Sequence, residues 1–563
     1  MNAPTHSLPS SRIGGHILVD QLVAQGVKHV FCVPGESYLA VLDGLHDRNI
    51  DVTVCRQEGG AAMMAEAHGK LTGEPGICMV TRGPGAANAM AGVHIAIQDS
   101  SPMILFVGQI ERGMRERDAF QEMDYRAVFG TQAKWVTEID QVERIPELVS
   151  RAFHIATSGR PGPVVIALPE DMLVEAAQVA DAPRYSVPET EPAQAQMQAL
   201  AERLSQARQP VAILGGSRWD AEAIAQFEAF AQKWQLPVAV QFRRQTLFST
   251  QHPCFIGDVG IGGNPKLIQF VKDSDLILMV GGRFSEIPSQ SYTVIDLPVP
   301  QQHLVHVHPD ASELNRVYVA DDAINTSPRA FCNTLAALPG APAQAAWAPA
   351  LQAMRASYQE WNDPSRITHP GALQMGQVMS YLNKTLPADA IMCNGAGNYA
   401  TWLHRFYPFT RPATQLAPTS GSMGYGLPAA VGAKRMFPDR TVVCFSGDGC
   451  FLMHGQEFAT AVQYKLPIVV LLIDNGMYGT IRMHQERDYP GRLSATTLQN
   501  PDFAAYANAF GGHGERVEST EEFAPAFERA LASGKPAILH CLIDPETITP
   551  TTTLSAIRKQ AQG

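Results

Sequence analysis

At 563 residues the chain exceeds what one hydrophobic core supports, and a prior of roughly 150 residues per domain leads to an expectation of three domains. Charged residues make up 17% and the hydrophobic set 45%, a balance that excludes a disordered chain, while 43 Lys and Arg against 54 Asp and Glu give a net charge of −11 with no basic run, which excludes a nucleic-acid partner. The nine cysteines are scattered and form no Cys-x-x-Cys pair, so a reducing, cytoplasmic setting is expected.

The opening MNAPTHSLPSSRIGG has no charged start leading into an apolar stretch, and no window of about 18 apolar residues follows anywhere. Neither export nor a membrane span is predicted. From His16 to Pro169, short apolar runs (HVFCVPG, GICMVTRG, PMILFVGQ, GPVVIALP) alternate with helix-like segments, the pattern of a parallel sheet wound with helices. Within it, DVTVC predicts a strand ending near Cys55, and Glu58 stands just before Gly59-Gly60 at the start of a small-residue helix. Taken alone, Glu58 reads as a carboxylate stabilised by the helix dipole, worth about 0.3–1 kcal/mol.

A Pro/Glu/Ala/Gln stretch at Ala182–Gln196 breaks the periodicity, and the alternation resumes with PVAILGG, LPVAVQF, DLILMVGGRF and HLVHVHPD. Arg243 and Arg244 follow one of these strands, either as a solvated basic pair or as a cation for a substrate; Asp310 reads as a helix N-cap before ASELNRVY. A second break near residues 338–350 precedes AIMCNGAG, TVVCFSGDG, LPIVVLLIDN and AILHCLID, a third α/β series. The expected domains are residues 1–183, 195–338 and 365–563, each a doubly wound parallel α/β sheet, and the first and third share one alternation, as a duplication would.

The third series carries the densest chemistry. TVVCFSGDG is a strand ending in Gly447-Asp448-Gly449, the next strand ends in Asn475, and one helix between them would make the strands adjacent and parallel. Ligands of open α/β sheets bind beyond the carboxyl ends of strands. A carboxylate (Asp448), an amide oxygen (Asn475) and a backbone carbonyl from the following loop (Met477) suit Mg²⁺, a hard ion that takes oxygen ligands and shares them with phosphates.

The Gly-Asp-Gly triplet with Asn475 at this interval resembles the binding motif of the thiamine diphosphate (ThDP) enzymes. That resemblance implies ThDP and Mg²⁺ as cofactors, with the N-terminal domain binding the pyrimidine and the C-terminal domain the diphosphate. It implies that Glu58 hydrogen-bonds the pyrimidine N1′ and promotes the tautomer that deprotonates the thiazolium C2. It also implies that Met423, in SGSMGYGLPAA, wedges beneath the cofactor, and that Ala396, Gly397, Asn398 and Tyr399, in NGAGNYATW, touch it. In this family the two cofactor halves are bound by different subunits, so a homodimer or homotetramer is expected.

Along nearly the whole chain the resemblance is closest to acetolactate synthase large subunits, through QEGGAAMMAEAHGKLTGEPG, Phe120-Gln121-Glu122, Lys134, GRPGPVVIALPEDM and MGYGLPAA. It implies decarboxylation of a 2-oxo acid and transfer of the resulting carbanion to an acceptor carbonyl, with Phe120 and Gln121 facing the reacting carbonyl. The sequence departs from this group where an acceptor-binding arginine is Ile287, where a tryptophan and a methionine of the acceptor pocket are His484 and Thr480, and where a flavin-touching Gly-Met-His-Gly is Gly260-Ile261-Gly262-Gly263. Arg283 and Asp310 match positions that bind an adenine nucleotide, FAD or ADP. A 2-oxo-acid decarboxylase or acyloin lyase is the alternative reading, and an inactive paralogue serving as a binding subunit is the third.

Overall fold

The computed structural model describes residues 10–338 and 345–562. The first nine residues, and part of the break expected at 338–350, lie outside the described residues. The chain falls into two compact units, Met1–Pro188 and Glu189–Gly563, the second holding two sheets.

In the first unit β1 (His29–Cys32), β2 (Asp51–Val54), β3 (Gly76–Val80), β4 (Met103–Gln109), β5 (Trp135–Glu138) and β6 (Pro163–Pro169) form one parallel sheet in the order β2-β1-β3-β4-β6-β5. β3, β4 and β6 are buried at every residue, as strands covered on both faces must be, which is why they read as continuous apolar runs. Helices α1 (Glu58–Thr72) and α2 (Gly83–Asp99) pack tightly enough that a Cβ on Gly92 would stand 2.4 Å from the Ala62 side chain. Between them runs a buried ion pair, Lys70 Nζ to Asp99 Oδ2 at 2.7 Å.

In the second unit β7 (Pro210–Leu214), β8 (Val238–Gln241), β9 (Phe255–Val259), β10 (Leu276–Val280), β11 (His303–His308) and β12 (Asp322–Asn325) form a parallel sheet ordered β9-β8-β7-β10-β11-β12. Its winding reverses between β7 and β10, the crevice where doubly wound sheets bind nucleotides. Gly215-Gly216 and Gly281-Gly282 occupy that reversal, and Gly216, at φ +67°, lies so close that a Cβ would meet the Gly281 carbonyl at 1.7 Å. The helix expected after Asp310 does not form. The Asp310 carboxylate instead closes a turn, accepting from Ser312 N at 3.0 Å and Ser312 Oγ at 2.7 Å, and Asn315 adopts φ +60°.

The third sheet comprises β13 (Ile391–Asn394), β14 (Gln415–Leu416), β15 (Val442–Gly447), β16 (Ile468–Asp474), β17 (His513–Val517) and β18 (Ala537–Leu542), ordered β14-β13-β15-β16-β18-β17. Counted from its own first strand, this is the winding of the first sheet. β15 and β16 are adjacent and parallel as expected, but two helical pieces connect them, Asp448–Phe451 and α3 (Glu457–Gln463), so the first helical residue is Asp448 itself. Beyond β16 come α4 (Gly479–Asp488) and, at the end of the chain, α5 (Leu554–Gln562), packed on α4. All nine cysteines are buried and unpaired, and among the described residues no helix is long and apolar enough to cross a membrane.

Candidate functional site

The pairing of β15 with β16 runs in register from Val442 opposite Ile468 to Gly447 opposite Ile473. The next residue on each strand is an aspartate, so Asp448 and Asp474 emerge side by side at the carboxyl edge, both buried. A cavity of about 240 Å³ opens there. Ala396, Gly397, Asn398 and Tyr399 line it from the end of β13, Met423 from the loop after β14, Gly447, Asp448 and Gly449 from β15, and Asn475, Met477 and Thr480 from the end of β16 and the start of α4. The walls are otherwise apolar, with Trp402, Ile473, Ile481, Ile543 and Ile548.

Local backbone chemistry sets these positions. Gly397 sits at φ +148°, and a Cβ there would lie 2.7 Å from the Tyr399 ring, so a glycine lets the chain turn under that aromatic. Tyr399 donates its hydroxyl to Cys450 Sγ at 3.1 Å. Asn398 and Thr480 form a reciprocal pair: Asn398 N donates to Thr480 Oγ1 at 3.1 Å, and Thr480 Oγ1 donates to Asn398 Oδ1 at 3.0 Å. This ties the end of β13 to the first turn of α4. Met477 pairs with Thr497 through bonds made by its neighbours, Tyr478 N to Thr496 O at 2.9 Å and Leu498 N to Gly476 O at 2.8 Å. In such a pair the central residue's own carbonyl points away from the partner segment.

Burial pushes the Asp448 carboxyl up to about 6, the neighbouring Asp474 adding to the shift while donors from Asn500 and Gly449 oppose it. Burial also acts on Asp474, but hydrogen bonds with His540, Gly476, Asp448 and Asn500 outweigh it and hold that carboxyl below its ordinary range. Among the described residues no cluster of three His, Cys, Asp or Glu could hold a metal by itself. A cation at Asp448 would therefore draw on amide and carbonyl oxygens and on ligand oxygens, which is the donor set of a hard divalent ion. A cavity ending in that set, walled by apolar side chains, fits a diphosphate carrying an apolar ring.

The remaining candidates are distributed elsewhere. In the first unit Glu58 is the first residue of α1; Gln57 caps the helix by accepting from Gly60 N at 3.1 Å, and Glu58 Oε2 accepts from Asn88 Nδ2 at 2.9 Å. Phe120 is 73% exposed, and Gln121, at φ +64°, accepts a bond from Gly83 N through its carbonyl. Lys134 donates to the Ile155 and Ser158 carbonyls at 2.5 and 2.6 Å, closing the end of a helix. In the second unit Ile287 and His484 are not among the residues lining the large cavity. Arg283 and Asp310 stand just beyond the carboxyl ends of β10 and β11. Arg243 is not solvated: it is buried, stacks on Phe242 with its guanidinium 4.7 Å from the ring centre, and donates to the Pro418 carbonyl in the segment leading to Met423. Of the run Gly260–Gly263, Ile261, Gly262 and Gly263 border a separate cavity of about 40 Å³, together with Asp258, whose carboxyl burial pushes up to about 7.

Sequence reasoning missed Asn88, Asp474, Asn500 and His540. Asp474 had a signal, since it precedes Asn475 at a strand end. Asn500 had none, because only the pairing of residues 496–498 with 476–478 brings it to Asp448.

Comparison with known proteins agrees with this geometry. The chain matches thiamine pyrophosphate enzyme, N-terminal TPP binding domain over residues 12–128, the central domain over 197–337 and the C-terminal TPP binding domain over 395–541. It belongs to the thiamine pyrophosphate enzyme family. The chain is 32% identical to the acetolactate synthase isozyme 2 large subunit of Escherichia coli K12, over 94% of its own length and 95% of the relative's. It is 31% identical to the isozyme 3 large subunit of the same organism, over 92% of each, and 30% identical to the acetolactate synthase large subunit of Corynebacterium glutamicum, over 95% and 87%. The three α/β sheets are those of a ThDP enzyme of the acetolactate synthase type, and most of the residues lining the large cavity, all but Ile543, Thr547 and Ile548, fall in the region matched by its C-terminal TPP binding domain.

Proposed function

We propose that this ThDP enzyme decarboxylates a pyruvate-like 2-oxo acid and transfers the product carbanion to an acceptor carbonyl. The observation that carries the reading is that Asp448, Asn475 and Met477 line one largely apolar cavity, in a chain similar over its length to acetolactate synthases. ThDP, when bound, supplies the stabilised carbanion. Asp448 and Asn475 would hold Mg²⁺ with the Met477 carbonyl, anchoring the diphosphate, while Gly447 and Gly449 leave room for the Tyr399 and Tyr478 rings that line the same cavity. Glu58 holds and returns a proton at the pyrimidine N1′, with Asn88 fixing its carboxylate. Met423, which lines the cavity, would support the cofactor, and Gln121, through its amide, would steady the acceptor oxygen beside Phe120. As the two halves of the cofactor go to different subunits in this family, a homodimer is the smallest active unit.

The nucleotide reading belongs to the middle sheet. Its glycine-lined reversal, with Arg283 and Asp310 beyond the adjoining strands, suits an adenine nucleotide, FAD or ADP.

Product analysis with pyruvate, ThDP and Mg²⁺ tests the reaction. Acetolactate is the expected product. Acetaldehyde alone would establish the second reading, a plain decarboxylase, which Ile287 favours because an aliphatic side chain cannot pair with an acceptor carboxylate as arginine does.

A further inference from the structure

We propose that Asn500, backed by Asp474 and His540, is the positioning residue for the carboxylate of Asp448; this rests on the reading of Asp448 as the metal-holding group. Two carboxylates emerge side by side from β15 and β16, and the structure gives them different fates. Asp474 is consumed by the protein. Its Oδ1 accepts from Gly476 N at 2.8 Å and from Asn500 Nδ2 at 2.8 Å, and its Oδ2 lies 2.8 Å from His540 Nε2. Asn500 Nδ2 carries two hydrogens and spends the second on Asp448 Oδ2, also at 2.8 Å. One amide therefore bridges two like charges and sets the rotation of the carboxylate that faces the cavity.

The bridge is itself held on both sides. Upstream, residues 496–498 are paired with 476–478, the segment that also presents the Met477 carbonyl. Downstream, Asp502 caps the helix Phe503–Ala509 by accepting from Ala504 N at 2.9 Å and Ala505 N at 3.0 Å, and the Phe503 ring packs edge-on against His540 with centroids 5.1 Å apart. Asn500 thus sits in a short span fixed at each end, as a group that must orient a metal-binding carboxylate should. Partners of this kind are worth roughly 10–100-fold in metal affinity where they have been removed.

Mg²⁺ titration of the full-length protein in excess ThDP tests this, read by quenching of tryptophan fluorescence, since Trp402 lines the cavity, and in parallel by turnover. Asn500→Ala should raise the half-saturating Mg²⁺ concentration by about 10–100-fold and leave turnover at saturating Mg²⁺ within about threefold of wild type. Asn500→Ser, which keeps one donor, should fall between the two, and it carries the test if the alanine variant does not accumulate. His540→Gln should shift the same titration in the same direction. A titration superimposable on wild type in the Asn500 variants, with cofactor binding abolished in Asp448→Ala, would overturn the role of Asn500 alone. An unchanged Mg²⁺ dependence in Asp448→Ala would remove the anchor reading and this inference with it.

Discussion

At the scale of single residues, the two carboxylates assigned to chemistry are held in opposite ways. Asp448 is buried and crowded by a second carboxylate, whereas Glu58 is half-buried at a helix start with one amide donor, Asn88. Replacing Glu58 by Gln keeps an oxygen that can accept from Asn88, so α1 should remain in place and ThDP should bind as before. The carboxylate's proton-holding capacity is lost, and turnover should fall by about 10²–10⁴-fold. Parallel measurement of cofactor binding by fluorescence and of turnover checks this; full activity would withdraw Glu58 from the chemistry. Sequence reading reached Asp448, Asn475 and Met477 because strand ends are visible as the ends of apolar runs. It misjudged Asp310, since a carboxylate that caps a helix and one that closes a turn look alike until the positive φ at Asn315 is known. It misjudged the solvated reading of Arg243 for a related reason: nothing local signals that the neighbouring sheet's Pro418 carbonyl receives the guanidinium.

At the scale of elements, α4 and α5 are joined by one buried carboxylate. Glu486 accepts from Arg558 Nε at 2.7 Å and Nη2 at 2.6 Å and from Gly491 N at 2.9 Å, and also pairs with Arg482. The Arg558 hydrogen bonds lead in holding the Glu486 carboxyl down at about 2, against the effect of burial. A depressed carboxyl contributes stability that is complete above its unfolded value, about 4.3, and is lost as pH falls through about 2. Glu486→Gln should therefore cost about 1–3 kcal/mol at neutral pH and nothing further below about pH 2, with Arg558 left partly solvated and so less than the full cost of a broken buried pair. Urea unfolding of the variant and wild type at pH 7 decides it; equal midpoints would show that α5 does not depend on this contact. Since α4 also carries Thr480, bonded to Asn398 across the cavity, the end of the chain is mechanically continuous with the candidate site. The strands and their parallel pairing were legible from apolar alternation, while this latch was not, because its partners are separated by most of the C-terminal sheet's last third.

At the scale of the whole molecule, acid sensitivity should come from buried imidazoles as well as from carboxylates. His308 is buried, and its Nδ1 lies 3.1 Å from both the amide nitrogen and the carbonyl oxygen of Asp310. Burial, with neighbouring His306, lowers its pKa to about 4, while Asp310 and Glu313 pull the other way. A histidine whose folded value lies below its unfolded value, about 6.5, contributes stability in full above 6.5 and loses it as pH falls through about 4, by about 3 kcal/mol for a shift of this size. Between pH 7 and pH 4.5, wild type should lose more urea stability than His308→Gln, whose side chain can accept from the Asp310 amide. Equal losses would remove His308 from the acid response. Urea is the suitable probe because the chain approaches its isoelectric point of about 5.9 in this range, where heated protein aggregates. Three α/β sheets could be read from the sequence, but their strand orders could not, since order depends on which edge each crossover returns to.

The repeated winding of the first and third sheets has a further consequence. In each, the second strand leads into a helix rich in small residues, Glu58–Thr72 after β2 and Gly426–Met436 after β14, with Glu58 opening the helix in one sheet and Met423 just before it in the other. The third and fourth strands of the later sheet are followed by Asp448 and Asn475, whereas the same strands of the earlier one are followed by Thr81 and Ile110. On the roles proposed for Glu58 and Asp448, the two like-wound sheets divide the labour, proton handling in one and ionic anchoring in the other. On that reading neither sheet holds both groups, so a fragment containing only one of them should keep the winding and lose the turnover.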